Sequence, residues 1–145
     1  TKEQIDTLIF FSEMLSVFLL KQQAQQRTQQ RAMDLSSILD NQNAWIYIID
    51  PDTYELKYLN KKTRELASHC DPGAKCYQVF QDMSHRCPGC PSARIWEKKN
   101  DSAVIRNSKF GLCVQAEATL IQWNGRPSCL LTCRNLPEDT KQRQY

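Results

Sequence analysis

The sequence predicts an α+β domain carried behind a long N-terminal helix. Three observations lead there. Apolar residues recur at helical spacing near the start, at Leu8, Phe11, Leu15 and Phe18, in steps of three and four. Two short β-rich runs, 44–50 and 56–60, then follow one another closely. Three more, at 103–110, 112–123 and 127–134, come after a connection with short helical patterns and three cysteines. Strands in two blocks with helices between them fit an α+β architecture better than alternating βα units.

Residues 1–39 read as one helix. Ile5 extends the apolar seam one turn earlier, and Gln22, Gln25 and Gln29 continue it in polar form. The segment Lys21–Arg31 holds six glutamines and no large apolar residue, yet glutamine is a good helix former. A second apolar set, Leu35, Ile38 and Leu39, closes the helix. A glutamine-rich stretch stays helical when both its ends are held. We therefore expect the helix to pair with a second copy rather than only pack on its own domain.

Asp40-Asn41-Gln42-Asn43 is a turn. Trp45-Ile46-Tyr47-Ile48-Ile49-Asp50 is apolar on both faces, as a central strand is. Asp50-Pro51-Asp52 turns the chain into the run at 56–60, which gives a hairpin. Residues 61–68 read as a short helix. In the second block, Leu112, Val114, Ala116, Ala118 and Leu120 alternate with Gln115, Glu117 and Thr119, the pattern of a half-buried strand. Asn124-Gly125 marks a type I′ hairpin turn, which needs positive φ at both central residues. The polar tail after Leu136 reads as a linker. The organisation is thus a helix at 1–39, a domain at 40–136 and a linker starting at 137–145.

Composition narrows the function. With 41% apolar and 24% charged residues, the 145-residue chain suits one soluble domain plus an extension. Its net charge is only +3, and no basic stripe carries interleaved aromatics, so nucleic acid is not an expected partner. The apolar runs of the helix, Leu8–Phe11 and Val17–Leu20, are four residues each, against about 20 for a membrane span. No secretory signal pattern is present. The first residue is Thr1, which points to a piece of a longer protein. Seven cysteines, an odd number, cannot form a complete disulfide framework within one chain. Reduced thiols in a cytoplasmic setting are the simpler reading, with metal or redox roles open.

Cys76, Cys87 and Cys90 stand at a C-x10-C-x2-C spacing. A C-x2-C pair can converge on one ion, as in zinc and iron–sulfur sites. A closed site needs a fourth ligand. Cys70 is the best candidate by type and nearness, with His69, His85 and Cys113 as the others. Two alternatives remain open for the set: a redox-responsive thiol pair, or plain packing. Pro91 suits a first helical position, which would place Cys90 at a helix N-terminus and lower its thiol pKa. Cys113, Cys129 and Cys133 fall in strands, where packing is the expectation. Core packing is also expected of Trp45, Tyr47, Trp96 and Trp123, although they could line a ligand pocket. No catalytic triad spacing, phosphate loop or haem attachment motif occurs.

The run Gly73-Ala74-Lys75-Cys76-Tyr77-Gln78-Val79-Phe80, with Cys87-Pro88-Gly89-Cys90-Pro91 after it, resembles a cysteine-bearing subset of PAS sensor domains. Those domains occur in bacterial and archaeal signalling proteins, often ahead of diguanylate cyclase, phosphodiesterase or histidine kinase modules. The resemblance covers about residues 35–136, with 45–50 and 56–61 matching the first two PAS strands. It implies one five-stranded antiparallel sheet with short helices on one face, and residues 44–50 in its centre paired with the last strand. It further implies a sensory and dimerisation module responding to an unidentified small ligand, metal or redox state. No enzyme activity is expected in these residues; a cyclic di-GMP or kinase output would lie elsewhere. Two rival readings are a small thiol oxidoreductase using Cys87 and Cys90, and a ligand-free PAS dimerisation unit.

Overall fold

A computed structural model describes residues 1–68, 70–71 and 73–136. The expected linker at 137–145 and the candidate ligand His69 lie outside the described residues. Two compact units are distinguished, Thr1–Ile38 and the chain from Leu39 onward.

The first unit is nearly all of α1, Lys2–Asp40, one residue displaced from expectation at each end. Thr1 starts it, accepting from the backbone N–H of Gln4 at 3.4 Å and of Ile5 at 3.2 Å. None of its residues is buried. Leu8, Phe11, Leu15 and Phe18 of the seam are exposed, and so are Ile9, Phe10, Val17 and Leu20. Leu8 to Phe11 are consecutive, so the apolar surface goes round the helix and exceeds a single heptad seam.

The second unit is built on β1 (Trp45–Ile49), β2 (Leu56–Leu59), β3 (Asn100–Asn107), β4 (Leu112–Trp123) and β5 (Arg126–Asn135). They form one antiparallel sheet in the order β2-β1-β5-β4-β3. β1 is interior, paired with β5 through Trp45 opposite Cys133 and Ile49 opposite Cys129. Its two-sided apolar pattern has the expected consequence: Ile46, Ile48 and Ile49 are all buried. Asn124 and Gly125 have φ of 52° and 74°, as the type I′ turn between β4 and β5 demands.

The helices are short: α2 (Lys61–Leu66), α3 (Cys76–Gln81) and α4 (Ile95–Lys98), the last preceded by a 3-10 turn at Pro91–Arg94. β3 departs from the expectation of 103–110. It starts earlier because Lys99, at φ 63°, ends α4 and its carbonyl accepts from Leu120 of β4 at 2.8 Å. It stops earlier because the Asn107 side chain accepts from the N–H of Phe110 at 3.0 Å, turning the chain before Gly111. The core joins Ile49, Ala118, Cys129 and Leu131 of the sheet to Cys76, Tyr77, Phe80 and Ile95 of the cover.

Asn60 binds the start of this unit together. It is fully buried. Its Oδ1 accepts from the N–H of Ile46 and of Thr63, both at 3.1 Å, and from the Thr63 hydroxyl at 2.6 Å. Its Nδ2 donates to the carbonyls of Leu39 and Ala44, both at 3.0 Å. One amide thus caps α2, starts β1 and holds the last turn of α1. Replacing it leaves several buried polar groups unpaired, at about 1–3 kcal/mol each if unrelieved. Asn60→Ala is expected to cost about 3 kcal/mol in urea unfolding, since relaxation and water recover part of the sum. A loss below about 1 kcal/mol would show that the network is not the tie described here.

Candidate functional site

A cavity of about 70 Å³ lies between the inner face of the sheet and the helical cover. The sheet contributes Tyr47, Val114, Leu131 and Cys133; the cover contributes Cys76 and Phe80 of α3, Thr63 and Leu66 of α2, and Cys87 and Cys90. Trp45, Ile105, Phe110 and Leu112 complete its apolar wall. No charged side chain lines it.

Local sequence explains how each cysteine arrives. Gly73, at φ 81°, turns the chain toward α3. The segment just before α3 is then held to the hairpin, with Leu56 donating to the Ala74 carbonyl at 2.9 Å and Cys76 to that of Tyr54 at 3.0 Å. Cys76 is therefore the first residue of α3 and buried. Asp82, at φ 52°, ends that helix, and Lys109 Nζ bonds both Asp82 Oδ1 and the Val79 carbonyl at 2.9 Å. Cys87-Pro88-Gly89-Cys90 is a reverse turn closed by Cys90 N–H to the Cys87 carbonyl at 3.2 Å, with Gly89 at φ 68°. Proline then glycine at its centre are the type II residues, and such turns bring their end Cα atoms within about 7 Å. Cys90 Sγ lies 2.8 Å from the Ser92 hydroxyl.

Burial sets the protonation of these thiols. It pushes Cys76 far above the ordinary thiol range, with Cys90, Cys87 and then Cys129 adding to the rise. It raises Cys87, reinforced by Cys90. It pushes Cys129 and Cys133 up to about 12, again with Cys90 acting on each. The Tyr47 hydroxyl is held well above its usual value by burial, then by Cys133, Cys76 and Cys90. Cys90 is thus the thiol that Cys76, Cys87, Cys129 and Cys133 all sense. At neutral pH Cys76, Cys87, Cys133 and the Tyr47 phenol on the cavity wall are held protonated.

Of the four expected ligands, the structure brings Cys76, Cys87 and Cys90 to one cavity and leaves Cys70 outside it. Cys70 is partly exposed, and partial burial and then Asp71 raise its thiol. His85 is exposed, its Nδ1 3.0 Å from the Arg86 carbonyl, and Cys113 is buried in β4. Neither lines the cavity. Among the described residues no three His, Cys, Asp or Glu side chains are grouped to hold a metal ion, and no disulfide forms. Cys90 does precede Pro91, but that proline opens a four-residue 3-10 turn rather than a regular α-helix.

The aromatic expectations hold for Trp45 and Tyr47, which pack against the core, and fail for Trp96. Trp45 and Tyr47 line the cavity, Tyr47 packing on Phe80 with ring centroids 4.8 Å apart. Trp96 is 44% exposed and donates to Asp52 Oδ1 at 3.0 Å. Trp123 packs on Tyr58. Sequence reasoning also left Cys133 to packing. A signal was available: with β1 paired to β5, residues 129, 131 and 133 share a face with 45, 47 and 49.

No protein-family model matches the chain, and no curated protein matches it. Solved structures do. The PAS domain of nitrogen regulation protein NR(II) from Vibrio parahaemolyticus aligns at a TM-score of 0.56 and 16% identity, over 70% of this chain and 96% of that one. The PAS domain of an HTR-like protein from Haloarcula marismortui aligns at 0.55 and 12% identity, over 79% and 99%. A PAS domain from a two-component sensor histidine kinase aligns at 0.57 and 15%, over 75% and 99%. The fold is PAS-like, with the five-stranded antiparallel sheet and short helices that the resemblance implied and the long N-terminal helix that the apolar spacing implied.

The raised thiols predict a pH dependence. A thiol that titrates near 9.0 when exposed and near 12 in the fold keeps its proton only in the folded state between those values. The unfolded state then binds fewer protons, so stability is complete below about pH 9 and falls as pH rises toward 12. Urea midpoints at about pH 8 and pH 10.5 should show this fall, and Cys129→Val should reduce it. Equal falls in the two proteins would reject burial of the Cys129 thiol as a cause.

Proposed function

We propose that this chain is a sensory and dimerisation module of a larger signalling protein, with the thiol-lined cavity as its input site. One observation carries the reading: Cys76, from α3, and Cys87 and Cys90, from the turn after it, all line the wall of one cavity beneath the helical cover. Solved domains of the same fold supply background, among them one from a sensor histidine kinase. The oxidoreductase alternative fits less well, because a reactive thiol is exposed and has a lowered pKa, whereas Cys87 is partly buried and raised. Any cyclase, phosphodiesterase or kinase output would be supplied outside these residues.

Occupation of the cavity has a covalent and hydrogen-bonded route to α1. Thr63 lines the cavity and bonds Asn60, and Asn60 bonds the Leu39 carbonyl. α1 is the element proposed to carry the state onward as a homodimer. Its exposed apolar residues are what a second copy of the helix would cover. No helix among the described residues is long and apolar enough to cross a membrane.

Light scattering tests the dimer. The full chain should have twice the monomer mass, and a version starting at Asp34 should fall to the monomer. An unchanged mass after truncation would remove α1 from the interface.

A further inference from the structure

One hydroxyl on the cavity wall lacks a good hydrogen-bond partner, and it restricts what the cavity can take. We propose that the cavity binds a small, neutral aldehyde or ketone, its carbonyl oxygen accepting a hydrogen bond from the Tyr47 hydroxyl. This deepens the proposed function and rests on the cavity being the input site.

The hydroxyl is the first observation. Tyr47 lines the cavity from β1, with its ring packed on Phe80 of α3. Its one hydrogen-bonding neighbour among the described residues is the Cys133 thiol, 4.0 Å away. That is long even for sulfur, against about 2.8 Å between oxygens. Burial is the largest cause of the raised phenol, so the group keeps its proton and is withdrawn from water. A buried hydroxyl without a good partner costs stability that an incoming acceptor returns.

The other polar side chains on the wall have no such need. Thr63 Oγ1 bonds Asn60 Oδ1 at 2.6 Å and the Ile46 carbonyl at 3.2 Å. Asn107 donates to the Phe80 carbonyl at 2.8 Å and accepts from the Phe110 N–H at 3.0 Å. Gln81 is partly exposed at the end of α3, where solvent serves its amide. The thiols pack as small hydrophobes and are weak acceptors. A ligand N–H or O–H would therefore find no strong acceptor left free on the buried wall. A carbonyl brings an acceptor and no donor.

Charge and volume set the remaining limits. No charged side chain lines the cavity, so an ionised ligand would lose its hydration without compensation. The volume of about 70 Å³ is under half of the roughly 150 Å³ that accommodates benzene, which leaves room for about three or four non-hydrogen atoms. The class is thus that of acetaldehyde and acetone. Binding is non-covalent.

The test is an NMR titration of the reduced full chain with probes of nearly one shape: acetone, isobutene, acetamide and acetate. Benzene is added as a size probe. Acetone should shift the amides of β1, α3 and residues 87–90, with a dissociation constant of about a millimolar, since so few atoms limit affinity. Tyr47→Phe keeps the ring and removes the donor. It should weaken acetone by about five- to tenfold and leave isobutene unchanged, isobutene also reporting that the variant's cavity is intact. On the unaltered chain acetone should bind more tightly than acetamide and acetate, and benzene should not bind, an order that decides even where the variant fails to fold. No acetone shifts at the cavity, equal losses of acetone and isobutene in Tyr47→Phe, or acetamide, acetate or benzene held as tightly as acetone would overturn the proposal. Hydrogen exchange of α1, followed in the same samples, separates the two readings. Acetone bound through Tyr47 with α1 unchanged would retain the ligand class and reject the input role. No acetone bound would reject the ligand class and leave the input role standing.

Discussion

One buried side chain decides how the domain begins. The Asn60 amide has both an acceptor and a two-proton donor, and each finds backbone partners from a different element. An aspartate in its place would keep the acceptors and lose the donors to Leu39 and Ala44. A leucine would pack and satisfy none of them. The chain reverses from β2 into α2 at this residue, and β1 and the end of α1 converge on it. The orphan donors of the α2 N-terminus and the first N–H groups of β1 need partners away from water. A single asparagine answers both needs, and so fixes where the helical cover sits over the sheet.

That placement determines the chemistry beneath. β4 presents Ala116 and Ala118 to the interior, both fully buried. Cysteine, small and weakly polar, lines the remainder. Five thiols in one neighbourhood would repel as thiolates, and Cys90 raises the pKa of each of the others. Desolvation and mutual repulsion act in the same direction. Cys76, Cys87, Cys129 and Cys133 therefore hold their protons, unlike an activated cysteine beside a cation.

Much of this was legible in the sequence, for identifiable reasons. β1 was readable as central because Ile46, Tyr47, Ile48 and Ile49 leave it no polar face. The Asn124-Gly125 hairpin was readable because few residues tolerate two consecutive positive φ values. The limits of β3 were not, since they follow from Lys99 and Asn107, whose roles depend on contacts with Leu120, Phe80 and Phe110. The grouping of Cys76, Cys87 and Cys90 was anticipated from spacing and resemblance. The presence of Cys133 on the cavity wall was not, since strand pairing places it there, while Cys70, nearer in sequence, lies outside the cavity. Which strand residues line a cavity is set by register, and register is a tertiary property.

α1 poses a different physical problem. Most stability of a helix in a protein comes from covering an apolar face. Here the first half has apolar residues all round, and Lys21–Arg31 has no large apolar residue. Pairing along Leu8, Phe11, Leu15 and Phe18 covers one stripe and leaves Ile9, Phe10, Val17 and Leu20 on others. The proposed two-stranded seam would thus cover only part of its apolar surface. The glutamine segment fits the same logic from the opposite side: it adds length and helical propensity without apolar contacts of its own. A change at the Asn60 end would reach the apolar half only through a helix able to stay intact across that polar stretch. Good intrinsic helix formers are what such a stretch needs, and glutamine is one.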